Sequence, residues 1–336
     1  MKTLPIFFIP LLFLFSCNKD DEVALNPFSE EINFDVSEWV LKGENITCVD
    51  FDSDGNAWVA SGNNLIFYDG LNTQSYSAGT VIQDVSVAPD GKVWLGTKEK
   101  GLARFSKGEF TFYTSENAGL PRDYVNEVEV APNGKVWFGS CAHNLGGLMC
   151  YDNGTFSLYT PENSMLNQHV VQNLKIDHDS RVYFVTLSTV GNAAVYSIDN
   201  QNKWKQLGGD ASFYWISSLV VNSESEAFVV VDYSLSSYSG YENYLAFFDG
   251  KKWEKIEADF YFSILPRMSI DKRDYVWVYG YGSVEGDYPG YFVYDGQNWL
   301  RSAEGQIPEV FIKGVSVDHQ NNIWFCSDEG IFILRQ

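Results

Sequence analysis

Seven short hairpins recur along this chain and leave it little choice of architecture. Their turns are Asp54-Gly55, Asp90-Gly91, Asn133-Gly134, Asp179-Ser180, Glu224-Ser225, Arg273-Asp274 and Gln320-Asn321. Four residues after each first turn residue stands an aromatic: Trp58, Trp94, Trp137, Tyr183, Phe228, Trp277 or Trp324. Nine and seven residues before that aromatic come apolar pairs such as Val85/Val87, Val128/Val130 and Met268/Ile270. An Asn-Gly or Asp-Gly step between alternating apolar runs signals a hairpin, and a two-residue type I′ turn is expected at Asn133-Gly134. The aromatics are spaced by about 44 residues, the period of repeat units built from several short strands.

Units of this length stack radially as blades. The expected fold is all-β: a seven-bladed β-propeller with four-stranded antiparallel blades, spanning residues 31–336. Each blade is covered on both faces by its neighbours. That accounts for second strands such as Val93-Trp94-Leu95, which are apolar throughout rather than alternating. The seven aromatics are expected to fill the space between blades and not to face a ligand. The last repeat ends at Ile331–Leu334 without a fourth strand. Ile32–Val36 is expected to complete it, closing the ring and removing the exposed sheet edges of an open array.

The N-terminus reads as a targeting segment. Lys2 precedes an apolar run, Leu4–Phe15, broken by Pro5 and Pro10 and too short to span a bilayer. Leu14-Phe15-Ser16-Cys17 resembles a bacterial lipoprotein signal. That resemblance implies cleavage after residue 16 and acylation of Cys17, with membrane contact only through the lipid. Residues 17–30 are polar and acidic, as expected of a flexible tether. Lys19-Asp20-Asp21-Glu22 looks like the export signal of surface lipoproteins in the Bacteroides group, which implies the outer membrane facing the cell exterior, with the periplasm as the alternative. An ordinary secretory signal followed by a solvated linker is the plainer reading of the same residues.

Blade three, with Leu120-Pro121 before its inner strand and N-G-K-V-W-F-G after it, resembles the two-component regulator propeller repeat. D-G-K-V-W-L-G in blade two shares the second half of that pattern. Such repeats form periplasmic sensor regions of hybrid histidine kinases in gut Bacteroidetes, often with glycan ligands. No kinase segment follows Gln336, so signalling through one is not expected of this chain. The D-G-x-x-W hairpins also resemble those of the streptogramin lyases, which implies an enzyme as a competing function. His143, His169 and Glu127, on the loop rim, would then be the candidates for acid–base chemistry.

With 23 Lys and Arg against 44 Asp and Glu, the formal charge is −21, and loss of Lys2 with the signal makes it more negative still. Such a surface repels nucleic-acid phosphates and anionic headgroups, so nucleic acid is not an expected partner. No G-x-S-x-G, H-E-x-x-H or phosphate-loop motif occurs, and neither a cofactor nor a metal is expected. Asp52-Ser53-Asp54-Gly55-Asn56 opens like a calcium loop, but its glycine falls at the fourth position and a hairpin turn explains it. Cys141 and Cys150 flank one loop of blade three, and their spacing allows a disulfide in an exported protein. Cys48 and Cys326 fall inside strands, as small buried residues do.

Two features point to binding. The loops entering inner strands, and those joining second to third strands, share one rim, and around blades five and six they are rich in aromatics. Tyr214 and Trp215 enter blade five, Tyr261 enters blade six, and Tyr238, Tyr241, Tyr281 and Tyr288 lie in insertions beside Tyr233, Tyr244 and Tyr279. Such rings stack on sugars, or else pack the insertions onto the body. Second, Gln83, Asn126, Gln172 and Lys313 stand at the start of inner strands, with Arg267 one step further along. They are expected to rim the axial channel beside Asp84, Glu127 and Asn173. Polar groups converging there suit a neutral, hydroxyl-rich ligand, although a wet channel needs polar walls in any case. The expected function is thus a non-catalytic, monomeric binding module for a glycan or an outer-membrane protein partner of glycan uptake. A scaffold binding proteins alone is the remaining alternative.

Overall fold

A computed structural model describes residues 31–140, 145–187, 192–209, 213–232, 243–258, 261–283, 288–303, 306 and 310–336, with the side chains of 261–265 and 281–289 left aside. Cys17 and the rest of 1–30 lie outside the described residues. Residues Ile32–Gln336 form one unit of seven four-stranded antiparallel sheets. The blades' inner strands are Ile46–Phe51, Ile82–Val87, Glu127–Val130, Val170–Ile176, Ile216–Val221, Tyr261–Ile270 and Ile312–Val317. Each packs beside the next around an axis, and the seventh meets the first.

The hairpin between first and second strands is not the expected type I′ turn. In blade one Asp52 N donates to Asn56 O at 3.0 Å and Gly55 N to Asp52 O at 2.9 Å, so three residues form the loop. Only the second residue of each turn is left-handed: Gly55 (φ 85°), Gly91 (78°), Gly134 (83°), Ser180 (61°), Ser225 (63°), Asp274 (63°) and Asn321 (71°). This is a type I turn followed by a left-handed residue. The residue before the loop favours it. Asp52, Asp177, Asp271 and Asp318 each accept two main-chain N–H groups of their own loop on Oδ1, a bridge that a two-residue turn has no room to make.

The other carboxylate oxygen reaches the repeat aromatic. Trp277 Nε1 donates to Asp271 Oδ2 at 3.0 Å and Trp324 Nε1 to Asp318 Oδ2 at 2.9 Å. Tyr183 Oη lies 3.3 Å from Asp177 Oδ2 and shares its one proton between that oxygen and the Ser225 carbonyl. Six of the seven aromatics are buried between blades as expected, while Trp58 is half-buried. Blades two and three replace this carboxylate with Ala88 and Ala131 and carry glycine two residues after the tryptophan. A Cβ on Gly96 would sit 2.8 Å from Val125 O, and one on Gly139 2.7 Å from Val171 O. The missing side chain lets the next blade's entry pass close by.

The ring is closed from the N-terminal end, but one strand length later than expected. Val36–Val40, not Ile32–Val36, pairs antiparallel with Gly330–Leu334, matching Val36 to Leu334 and Val40 to Ile331. Ile32 and Phe34 are buried beyond the end of that ladder. Phe34 stacks against Tyr291 at 6.4 Å and meets Trp277 edge-on at 6.0 Å, both in blade six. Their alternation reflects burial of an extended segment, which period-2 patterning cannot distinguish from a paired strand. Asn33 Nδ2 donates to Arg335 O at 3.0 Å, and Gln336 Nε2 donates to Asn33 O at 2.7 Å.

Candidate functional site

An inner strand has one edge bonded within its blade and the other turned to its neighbour, so half its main-chain groups need partners from elsewhere. Polar side chains of adjacent blades supply them. Asp50 accepts from Val87 N at 2.7 Å, Asp84 from Val128 N at 3.0 Å, and Glu127 from Leu174 N at 2.7 Å. Ser86 and Ser218 serve Val130 N and Met268 N in the same way. In the other direction Gln172 and Asn173 amides donate to Ile216 O, and Arg267 Nε donates to Lys313 O at 3.2 Å. Much of the polar lining is therefore stitching between blades.

At the mouth the strands are irregular. Register shifts at Ile46/Cys48, Ile82/Asp84, Ile216/Ser218 and Ile312/Gly314 leave Thr47, Gln83, Ser217 and Lys313 as bulge residues. A bulge re-aims one side chain out of the ladder. Here it turns toward the axis. Gln83, Asn126, Gln172, Arg267 and Lys313, expected at the rim, line one cavity of about 480 Å³ together with Trp215. Asp84, Glu127, Asp50, Glu129 and Lys175 line the same cavity.

The electrostatics follow from that crowding. Lys175 Nζ donates to Glu129 Oε1 at 2.6 Å. Burial opposes the charge on Lys175, but Glu129, with Asp84 and Glu127 beyond it, outweighs burial and holds the amine protonated. Burial pushes Asp84 up to about 8, helped by Glu129 and Glu127 and opposed by the Val128 N–H. Burial likewise raises Asp50 to about 6 and raises Glu127. Arg267 is lowered by burial and partly restored by Glu127 and Asp232.

Asp50, Glu129 and Lys175 were not expected at the site. They sit eight residues before the repeat aromatic, between the apolar positions at nine and seven, and strand alternation turns them from the blade core to the axis. Of the two aromatic candidates whose side chains are described, Trp215 joins the cavity and Tyr214 is half-buried without lining it. Tyr238 and Tyr241, with Tyr233, lie outside the described residues. Tyr261, Tyr281 and Tyr288 belong to lengthened strands of blade six, Tyr261–Ile270, Val276–Ser283 and Tyr288–Tyr294. Two other rings expected on the insertions belong to the body: Tyr244 packs against the core of blades four and five, and Tyr279 is buried with its hydroxyl on Val310 O.

The acid–base candidates are not assembled. Glu127 lines the cavity, whereas His169 is held by Gly146 O at 3.2 Å and Glu162 at 3.3 Å and does not line it; His143 lies outside the described residues. Among the described residues no three His, Cys, Asp or Glu side chains converge as metal ligands. Cys150 is a free, buried thiol opposite Trp137, and Cys141 lies outside the described residues. Cys326 is buried, but Cys48 is only half-buried and also lines the cavity.

No protein-family model matches the chain, and no curated protein matches it. Solved structures share its fold at low identity. The extracellular domain of a hybrid two-component system from B. thetaiotaomicron matches at 15% identity and a TM-score of 0.64, over 88% of this chain and 40% of that one. A catalytically inactive virginiamycin B lyase from Staphylococcus aureus, with quinupristin, matches at 13% and 0.67, over 91% and 98%. PorZ, a surface component of the type-IX secretion system of Porphyromonas gingivalis, matches at 14% and 0.65, over 87% and 46%. The chain thus spans less than half the length of the two-component domain. The fold expected from the repeats is the fold of these neighbours: a seven-bladed β-propeller like those outside the cell in Bacteroides two-component systems.

Proposed function

We propose that the chain is a non-catalytic binding module, anchored through Cys17 at the outer membrane and facing the cell exterior, that takes a glycan at the channel mouth. One observation carries this reading. The bulged starts of separate inner strands turn amides, cations and hydroxyls into a single cavity beside Trp215. Hydroxyl-rich ligands are held by such convergent donors and acceptors next to one aromatic face. Affinity electrophoresis of the purified chain through gels cast with single polysaccharides is the test. We expect retardation by at least one of them, reduced about tenfold by Trp215→Ala; mobility unchanged across the panel would sink the proposal.

A protein partner in glycan uptake is the second reading. Val81, Met165 and Phe311 precede inner strands, and Leu145 lies between second and third strands, so four of the five large apolar residues that stand exposed among the described residues share the loop face. Pull-down from outer membranes, lost on Phe311→Asp with Met165→Asp, would support it.

A further inference from the structure

We infer that the sugar taken at the mouth is an acidic one, a hydroxyl-rich ring bearing a carboxylate such as a uronic acid. The inference rests on the glycan reading above and adds the ligand's charge to it. It differs from the neutral ligand expected from the sequence.

The cavity's two cations without an ion pair among the described residues stand together, and its carboxylates, Asp50 included, stand on blades one to three. Arg267 and Lys313 stand on adjacent blades, six and seven. Asp84 and Glu127 stand on blades two and three, across a seven-membered ring from blade six. Neither cation is neutralised by an ion pair among the described residues. Lys313 Nζ rests on the neutral Asn45 Oδ1, and Arg267 uses Nε on the Lys313 carbonyl. That bond fixes the guanidinium plane and leaves its remaining N–H groups for another acceptor. Lys175, in the same cavity, is by contrast paired with Glu129.

A ligand with a carboxylate on one edge and hydroxyls on the other meets both sides. The planar guanidinium suits a carboxylate, and the neighbouring ammonium adds a point charge. Asp84 and Glu127 are hydrogen-bond acceptors for sugar hydroxyls, each already holding one main-chain N–H and retaining lone pairs. A neutral sugar would leave Lys313 without a counter-charge and Arg267 with only the partial compensation that Glu127 and Asp232 supply. A simple polyanion would leave the hydroxyl-accepting edge, Asp84 and Glu127, without a partner.

The test compares oligogalacturonides with their fully methyl-esterified forms of equal length by titration calorimetry, using the purified chain at pH 7 and 0.15 M salt. The pair differs in charge and hardly in shape. Diffuse electrostatics disfavour the acid form, because the protein is strongly acidic. A preference for the acid form therefore reports the local pair. We expect the acid form to bind at least tenfold more tightly, and Arg267→Gln with Lys313→Gln to remove the preference in a protein that still binds the ester form and melts cooperatively. Equal or tighter binding of the ester by the unmodified chain would overturn the inference and leave the glycan reading standing. Binding of neutral oligosaccharides alone has the same meaning. No binding to acidic or neutral members of a broad panel overturns both.

Discussion

Asp84 on blade two accepts the main-chain N–H of Val128 on blade three at 3.0 Å while facing the channel carboxylates Glu127 and Glu129. One side chain thus joins two blades and holds its proton far above the usual carboxylate range. The folded state binds that proton more tightly than the unfolded chain. Its contribution to stability is complete below the ordinary carboxylate pKa and is lost as pH rises through about 8. Asp50, raised to about 6, acts in the same direction at lower pH, and Glu127, also raised by burial, has the same sign. The melting temperature is expected to fall between pH 5 and pH 9. Asp84→Asn keeps the acceptor without the charge and should flatten that fall by ~2–4 °C. A scan in which the variant and the parent run parallel would remove Asp84 from the account.

Gly139 has no room for a methyl group. Its Cβ would lie 2.7 Å from Val171 O, a main-chain atom at the entry to blade four. Gly139→Ala is expected to cost ~1–3 kcal/mol by forcing the two blades apart. Chemical denaturation measures it.

Ser225 occupies a position that glycine fills in blades one to three, at φ 63°. The left-handed conformation costs a residue with a Cβ about 1–2 kcal/mol, part of which glycine returns as unfolded-chain entropy. Ser225→Gly should stabilise the protein by ~0.5–1 kcal/mol. The Tyr183 hydroxyl is unaffected, since it donates to the Ser225 main-chain carbonyl at 2.9 Å.

Asp271 is buried and accepts from Arg273 N, Tyr275 N, Trp277 Nε1 and the Arg273 guanidinium. Asp271→Ala leaves the indole N–H and two loop amides without their acceptor and should cost ~2–4 kcal/mol. The same position is Ala88 in blade two, where the neighbouring turn keeps a true glycine. Combining Asp271→Ala with Asp274→Gly should therefore recover part of the loss.

Removing residues 1–40 strips the outer strand from blade seven and bares the edge of Gly330–Leu334. We expect a chain that self-associates on size-exclusion chromatography and melts well below the parent. A stable monomer would show that the ring does not need its clasp.

The blade count, the strand order and the burial of the repeat aromatics were legible because each repeat restates the same local physics. Asn133-Gly134 marked a turn correctly but suggested the wrong type. Ala131 N donates to Lys135 O and Gly134 N to Ala131 O, so three residues form this loop even without the side-chain acceptor that Asp52 and Asp271 supply, and a dipeptide signal does not include that third residue. Ile32 and Phe34 alternated like a strand because burial alone produces alternation. At the channel, Gln83, Asn126, Gln172 and Lys313 were legible as polar residues at one fixed offset, with Arg267 one step further along. Lys175, Glu129 and Asp50 were not, being hidden among the apolar positions that had been used to find the repeat. Tyr244 and Tyr279 misled for the opposite reason: an aromatic near a long loop packs inward as readily as outward.

In blades one to six the four strands follow one another along the chain, so covalent turns keep them together. Blade seven has no such guarantee, because Val36–Val40 reaches it from the far end of the polypeptide. A mechanical load applied through a lipid at Cys17 would therefore be delivered to the one outer strand that hydrogen bonds and side chains alone retain. The molecule's weakest seam would then coincide with its mooring line.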